Sequence, residues 1–268
     1  MCGCSPILIK ITITKRSKVM KKLALATTLA LSSFFAQADT IAGVYIGGQV
    51  WDMEAEGSFG SSEQLQAFEL EDDKKSSYWA ALEHPIPLLP NLKLRQNELD
   101  TMGMADVEDF AFGDRVYNGD TLVDAELDHL DVIMYYELFD NSIFSIDFGL
   151  NFKYAEYSVS VSANDPNPIF TEETVDYNGV IPMVYLATEV GILGTDLDVF
   201  AEGSWIGFDD HNVYDAMAGL KYSFVDNIIV DLDIRLGYRT MKFDIQDLDN
   251  MYVDAQFDGA FAGIEFHF

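Results

Sequence analysis

Hydrophobic and polar residues alternate with a period of two along much of this chain. Between positions 144 and 154, Phe144, Ile146, Phe148, Leu150, Phe152 and Tyr154 fall on one side, and Ser145, Asp147, Gly149, Asn151 and Lys153 on the other. Two residues is the period of a strand. A second run sets Ile228, Val230, Leu232, Ile234, Leu236 and Tyr238 against Asp231, Asp233, Arg235, Gly237 and Arg239. The core of a soluble sandwich cannot take a face carrying both signs of charge, whereas a wet or salt-bridged barrel lumen can. The apolar face is then left for lipid, and a strand of roughly ten residues crosses an apolar band about 25 Å tall at a tilt near 40°. The pattern predicts an all-β fold, a transmembrane antiparallel up-and-down β-barrel.

About ten strands are expected, near 41–55, 76–86, 91–104, 121–138, 143–160, 175–190, 196–207, 212–224, 228–245 and 251–268. Alternation is weakest in the second and third, so an eight-stranded barrel stays open. Asp140-Asn141-Ser142, Gly194-Thr195 and Asp226-Asn227 read as short turns, and the proline-rich stretch from His84 to Pro90 blocks continued pairing. These belong on the periplasmic side with both chain termini, and the longer connections 56–75, 105–120 and 161–174 on the outer side. Three strands change the parity of their apolar face toward the outer end. Val123, Ala125 and Leu127 are odd but Leu130 to Leu138 even; Phe144 to Tyr154 are even but Tyr157, Val159 and Val161 odd; Met241, Phe243 and Ile245 break from the series 228–238. Either β-bulges near the rim shift the register, or these ends stand above the membrane without a lipid face.

The two ends of the chain add a destination. Ile264, Phe266 and Phe268 finish the apolar face of the last strand, as in bacterial outer-membrane barrels, and are read as its assembly signal. Lys21-Lys22, the apolar run Leu23 to Phe35 and Ala36-Gln37-Ala38 have the form of a secretory signal peptide over 20–38. Residues 1–19 precede a second plausible start at Met20 and are read as a start-site extension, which leaves 39–268 as the barrel. No later apolar run reaches the roughly 18 residues of a spanning helix. Six of the 16 basic residues and none of the 45 acidic ones fall in 1–38, so the remainder holds ten bases against 45 acids, a formal charge of −35. Nucleic acid is a poor partner for such a chain. Both cysteines, Cys2 and Cys4, lie in the expected removed part, so neither a disulfide nor a thiolate metal site is expected in the mature protein. With 49% hydrophobic and 13% aromatic residues, the chain is not disordered despite its charge.

The stretch Ala42-Gly43-Val44-Tyr45-Ile46-Gly47-Gly48-Gln49-Val50-Trp51, together with the terminal Phe268, resembles the ends of a family of small Gram-negative outer-membrane proteins named for its Gly-Gly motif. The resemblance covers about 30 residues. It implies an integral barrel and no established activity.

Candidate chemistry is sparse. The acid clusters Glu69–Asp73, Asp106–Asp109, Glu172–Asp176, Asp209-Asp210 and Asp247–Asp249 fall at or near expected outer loops and read as solvated surface. Their alternative role is weak divalent-cation binding that bridges the protein to lipopolysaccharide. Asp209-Asp210-His211 superficially resembles the Asp/His arrangement of omptin proteases, ten-stranded outer-membrane enzymes, but no partner carboxylate pair is evident and the stretch is also a good turn. The other histidines, His84, His129 and His267, are scattered. No catalytic residue, cofactor or metal centre is expected.

The lumen is the more informative constellation. Lys93, Arg95, Lys153, Lys221, Arg235 and Arg239 fall on inward positions with Asp131, Glu137, Asp147, Asp198, Glu202, Asp215, Asp231 and Asp233. If these charges pair while Tyr45, Trp51, Tyr135 and Phe200 fill the rest, the barrel is a plugged scaffold. If they leave a gap, it is a narrow, porin-like channel preferring cations. An interior of eight to ten strands is about filled by side chains, which favours a structural or surface-interaction protein over the channel, and the channel over an omptin-like hydrolase. Its expected partners are outer-membrane lipid, lipopolysaccharide and the outer-membrane assembly machinery.

Overall fold

The computed structural model describes residues 42–268 apart from 87, 142, 164–171, 209–210, 226–229 and 249. The start-site extension and signal peptide expected over 1–38 lie outside the described residues.

Thirteen strand segments form one antiparallel sheet that closes on itself: β1 (Gly43–Gly60), β2 (Gln66–Leu70), β3 (Asp73–Glu83), β4 (Asn91–Asn97), β5 (Asp100–Phe112), β6 (Arg115–Glu126), β7 (His129–Asn141), β8 (Phe144–Ala163), β9 (Glu172–Gly191), β10 (Leu197–Phe208), β11 (His211–Val225), β12 (Asp231–Leu248) and β13 (Met251–His267). Six of the segments are halves of three long strands. β3, β4 and β7 complete one end of the wall between β1 and β8, while β2, β5 and β6 complete the other. β2–β3, β4–β5 and β6–β7 therefore each cross once, and the ring has ten strands, each paired with its neighbours in sequence. The eight-stranded alternative does not hold. β1 and β13 close the ring in unbroken register from Tyr45↔His267 to Gly60↔Tyr252, and the backbones of Val44 and Phe268 exchange hydrogen bonds of 2.9 and 3.1 Å beyond its end.

The turns follow local chemistry. Asn141 Oδ1 accepts from the backbone N–H groups of Ile143 and Phe144 at 2.8 and 3.1 Å, an Asx turn. Between β9 and β10, Gly194 takes φ +82° and the Thr195 N–H donates to the Ile192 carbonyl at 3.1 Å.

On the other side, two of the long connections expected from the sequence are strand. β1 continues to Gly60 and β2 begins at Gln66, and β5 and β6 are joined by Gly113-Asp114 alone. The stretches 56–75 and 105–120 look like loops because acidic, polar and glycine residues are frequent in them, but the residues between, such as Phe59, Val107, Phe112 and Tyr117, are buried in the barrel. The acid clusters Glu69–Asp73, Asp106–Asp109 and Glu172–Asp176 thus stand largely on extended wall rather than on loops.

The parity changes have the same origin. β8 pairs with β9 without a bulge from Phe144↔Val190 to Ser162↔Glu172, and β12 with β13 from Asp231↔His267 to Ile245↔Val253. Side chains keep one orientation throughout, and polarity inverts instead. On β8 the outward series changes from Phe148, Leu150, Phe152 and Tyr154 to Glu156, Ser158, Ser160 and Ser162. At the same level the inward series changes from Asn151 and Lys153 to Ala155, Tyr157, Val159 and Val161. Where the wall meets lipid its outside is apolar and its inside polar; above the lipid it is built like a water-soluble sheet around an apolar core. Register shifts do occur, at Glu137/Phe139 on β7, Ser223/Val225 on β11 and past Ile245 on β12 among others, but not at the positions where the parity changes. Residues 71–72 flip the inward set from Phe68 on β2 to Lys75, Ser77 and Trp79 on β3. Another register shift lies between Val107 and Phe110, where Asp109 has φ +51°.

Candidate functional site

The interior is stacked in three levels. The level farthest from Gly43 and Phe268 is the apolar core, in which Trp51, Met53, Phe59, Phe112, Tyr157, Phe243 and Phe257 are almost wholly buried. Below it lies a charged layer. At its centre Arg95 on β4 donates to Asp131 at 3.2 Å, to Glu202 at 2.9 Å and to Asp215 at 2.9 Å, which joins strands β4, β7, β10 and β11 through one guanidinium. Asp131 also accepts from Lys153 and Asn151 through Oδ1, each at 2.9 Å, and from Asn97 through Oδ2 at 3.0 Å. Arg239 donates to both oxygens of Asp215 at 2.9 and 2.7 Å, to Ser77 Oγ at 2.9 Å and to Asn97 Oδ1 at 2.8 Å, with its guanidinium carbon 5.0 Å from the centre of the Trp51 ring. Lys93 Nζ donates to both oxygens of Glu202 at 2.9 and 2.8 Å.

These groups are all but sealed from solvent; Asp131 and Lys153 have no exposed surface at all. Isolated charges at such depth are untenable, and this geometry, with each carboxylate accepting from several donors, is what makes their burial tolerable.

The third level opens at the end of the barrel that holds Gly43 and Phe268, as a cavity of 240 Å³ whose lining includes Tyr45, Trp79, Glu83, Tyr135, Asp147, Tyr185, Lys221, Arg235 and Glu265. Trp79 Nε1 donates to Glu265 at 2.6 Å and the Tyr135 hydroxyl to Glu83 at 2.8 Å. Lys221 is bonded to Glu189 and lies 3.8 Å from Asp198. Gly47 is what lets Trp79 lie here, because a Cβ at position 47 would come within 2.3 Å of the indole ring.

The fourteen charges read as luminal do not form one cluster. Lys93, Arg95, Lys153, Arg239, Asp131, Glu202 and Asp215 are joined in the central layer. Arg235, Lys221, Asp147 and Glu137 line the cavity together with Lys93 and Glu202, and Arg235, 3.7 Å from Glu202, links the two groups. Asp198 pairs with Lys221, Asp233 stands between Ser223 and Glu265 in register, and Asp231 meets His267 at 3.3 Å near the end of the wall. Sequence reasoning by charge alone passed over Ser77, Asn97 and Asn151, which carry the charged layer's remaining hydrogen bonds, and Glu83, Glu189 and Glu265, which line the cavity. Asn97 and Asn151 share inward parity with Lys93, Arg95 and Lys153 on the same strands, whereas Ser77, Glu83, Glu189 and Glu265 lie on β3, β9 and β13, where no luminal residue had been singled out. Of the Asp209-Asp210-His211 stretch, the two aspartates lie outside the described residues, and His211 Nδ1 accepts from the Gln246 N–H at 3.2 Å. Among the described residues no group of three or more His, Asp or Glu side chains is arranged to hold a metal ion.

No family model and no curated protein matches the chain. Among solved structures, the chain is similar to the outer membrane protease OmpT from Escherichia coli, at 7% identity and a TM-score of 0.50 over 87% of this chain and 99% of that one. It also matches the transport unit of the autotransporter AIDA-I from Escherichia coli (11% identity, TM-score 0.39, 91% and 96% covered) and the attachment invasion locus protein Ail of Yersinia pestis (10%, 0.32, 85% and 100%). At 7% identity the likeness to OmpT is one of fold alone, that of an outer-membrane β-barrel.

Proposed function

We propose that the protein is an integral outer-membrane β-barrel of the kind that scaffolds a surface rather than conducts, with both termini in the periplasm and the acidic upper wall outside the cell. The observation that carries this reading is the filled interior. Among the described residues a charged layer runs from wall to wall beyond the mouth cavity and an apolar core fills the level past it, and a filled lumen does not conduct. Outer-membrane lipid and lipopolysaccharide are the partners of the outward faces, with weakly held divalent cations between the acidic wall and lipopolysaccharide phosphates, and the outer-membrane assembly machinery reads the last strand at Ile264, Phe266 and Phe268. The Gly-Gly stretch of β1 supports membership of the small outer-membrane family that it resembles. We assign no enzymatic activity.

Planar-bilayer recording of the purified protein tests the scaffold. A membrane that stays silent supports it. Reproducible cation-selective steps that shrink when Asp231 and Asp233 are neutralised overturn it in favour of a narrow channel.

A further inference from the structure

The cavity at the mouth of the barrel carries more negative charge than its own cations compensate. Its three basic side chains are all paired: Lys93 is bonded to Glu202, Lys221 to Glu189, and Arg235 lies 3.7 Å from Glu202 and 3.6 Å from Glu265. Four further carboxylates line it, those of Glu83, Glu137, Asp140 and Asp147, and none of these has an ion pair among the described residues. Glu83 accepts from the Tyr135 hydroxyl at 2.8 Å, a partner that brings no charge. Glu137 and Asp147 stand directly opposite one another across β7 and β8, where like charges repel. A cleft with such a surplus of one sign concentrates the opposite charge.

Acidity alone would suit any cation, and the aromatic floor narrows the choice. Two residues deeper than Asp147, Tyr135 on β7 and Tyr185 on β9 flank Gly149 in register. With no side chain between them, their ring centres lie 5.9 Å apart, tilted by 53°. Tyr185 is only 2% exposed and lines the cavity, yet its hydroxyl has no hydrogen-bond partner among the described residues. Buried hydroxyls are nearly always bonded, and this one has lone pairs to offer an N–H donor from outside the chain. Nor do the chain's own cations occupy these two rings, since Arg235 lies over Phe200 and Trp79, and Lys93 over Trp79. Hard metal ions take about six to eight converging oxygens, and among the described residues no three carboxylates are arranged to hold one. An alkylammonium ion instead uses carboxylates and a hydroxyl for its N–H groups and aromatic faces for its charge and methylenes. From the uncompensated carboxylates and the unbonded Tyr185 hydroxyl beside a pair of free rings, we infer that the mouth of the barrel is a binding site for a small aliphatic amine, its ammonium group held by Asp147, Glu137 and the Tyr185 hydroxyl and its alkyl part lying on Tyr135 and Tyr185. The site stands whether or not the lumen conducts, so either reading can fail alone.

Calorimetric titration of the purified barrel with n-butylammonium and with 1,4-diaminobutane, beside magnesium chloride, tests the site. Saturable binding of at least one amine that survives about 0.1 M potassium chloride, at which exposed charges are largely screened, is the expected result. Asp147→Asn should weaken it about tenfold and Tyr185→Phe about fivefold, with folding of each variant checked by its unheated gel mobility. Asp52→Asn, at an exposed residue of the outer wall, should leave it unchanged, which separates the mouth from the acidic surface. If Asp147→Asn does not fold, Tyr185→Phe, which removes a single unbonded oxygen, carries the test. Silence from both amines overturns the inference, as does loss of their binding in potassium chloride. So does magnesium binding tighter than either amine and weakened by Asp147→Asn, which would make the mouth a plain metal site, or undiminished amine binding in the folded variants.

Discussion

Arg95 and Asp215 stand on strands β4 and β11, diametrically opposed in the ring of ten, and the guanidinium meets the carboxylate at 2.9 Å. A contact across the full diameter cannot come from strand pairing, which joins only neighbours. It ties one side of the wall to the other at the level where the outside faces lipid.

Removing one member of this layer strands its partners. Asp131→Ala leaves Lys153 and Arg95 buried without the carboxylate they share, and breaking such a group costs about 3–5 kcal/mol. The expected result is a marked fall in the temperature at which the unheated, fast-migrating gel band is lost. Asp52→Ala, at an exposed residue whose ion pair with Lys74 is 4.0 Å long, should leave that temperature unchanged. Equal midpoints for the two variants would show that the buried layer contributes nothing to stability.

Gly47 and Trp79 form a second coupled pair. Gly47→Ala pushes the indole away from Glu265 and from its stack on Arg235, an overpacking that costs about 1–3 kcal/mol. In a Trp79→Leu background the same change should cost little, because the ring it collides with is gone. Additive losses in the double-mutant cycle would refute the steric account.

The inversion of polarity along β8 fixes where lipid ends. Nitroxide labels on Leu150→Cys and Ser158→Cys both point outward, but the first should be relaxed by lipid-soluble oxygen and the second by a water-soluble nickel chelate. Similar accessibility at both sites would remove the boundary between Tyr154 and Glu156.

Sidedness is checked by labelling. The sequence carries cysteine only at positions 2 and 4, ahead of the expected cleavage site. Cysteine in place of the exposed Glu63, in the connection between β1 and β2, should react with an impermeant reagent on intact cells, and cysteine in place of Asn141 should not. The opposite pattern inverts the proposed orientation.

Phe268 supplies the last rung of the ring closure. Phe268 exchanges two backbone hydrogen bonds with Val44, so its deletion removes the final rung between first and last strands along with the end of the expected assembly signal. Membrane levels should drop sharply, whereas Tyr252→Ala at the opposite end of β13 should be tolerated. Normal levels of the truncated protein would show that closure and assembly do not depend on Phe268. Glu265 is a poor control in this experiment, because it holds Trp79 at 2.6 Å.

The ten crossings, their approximate positions and the inward face of the lipid-facing levels were legible in the sequence, because each depends on alternation within one strand, and alternation survives in a linear reading. Above the lipid the same rule misled. There the surroundings of both faces exchange, so unchanged geometry produces the opposite pattern, and Val159 or Phe243 looks like the product of a register shift. The stretches 56–75 and 105–120 looked like loops for the same reason.

The sequence by itself determined the fold class and a set of charged inward positions, both consequences of a two-residue period meeting two solvents. Only the tertiary structure decided which charges meet. Partners such as Arg95 and Asp215 are 120 residues apart in the chain, and their encounter depends on ring size and register, which no single strand encodes. It also divided the luminal charges between a sealed layer and an open cavity, because how tightly Arg239 or Arg235 meets its carboxylates is set by the depth at which each enters the barrel and by the side chains that the opposite wall presents there.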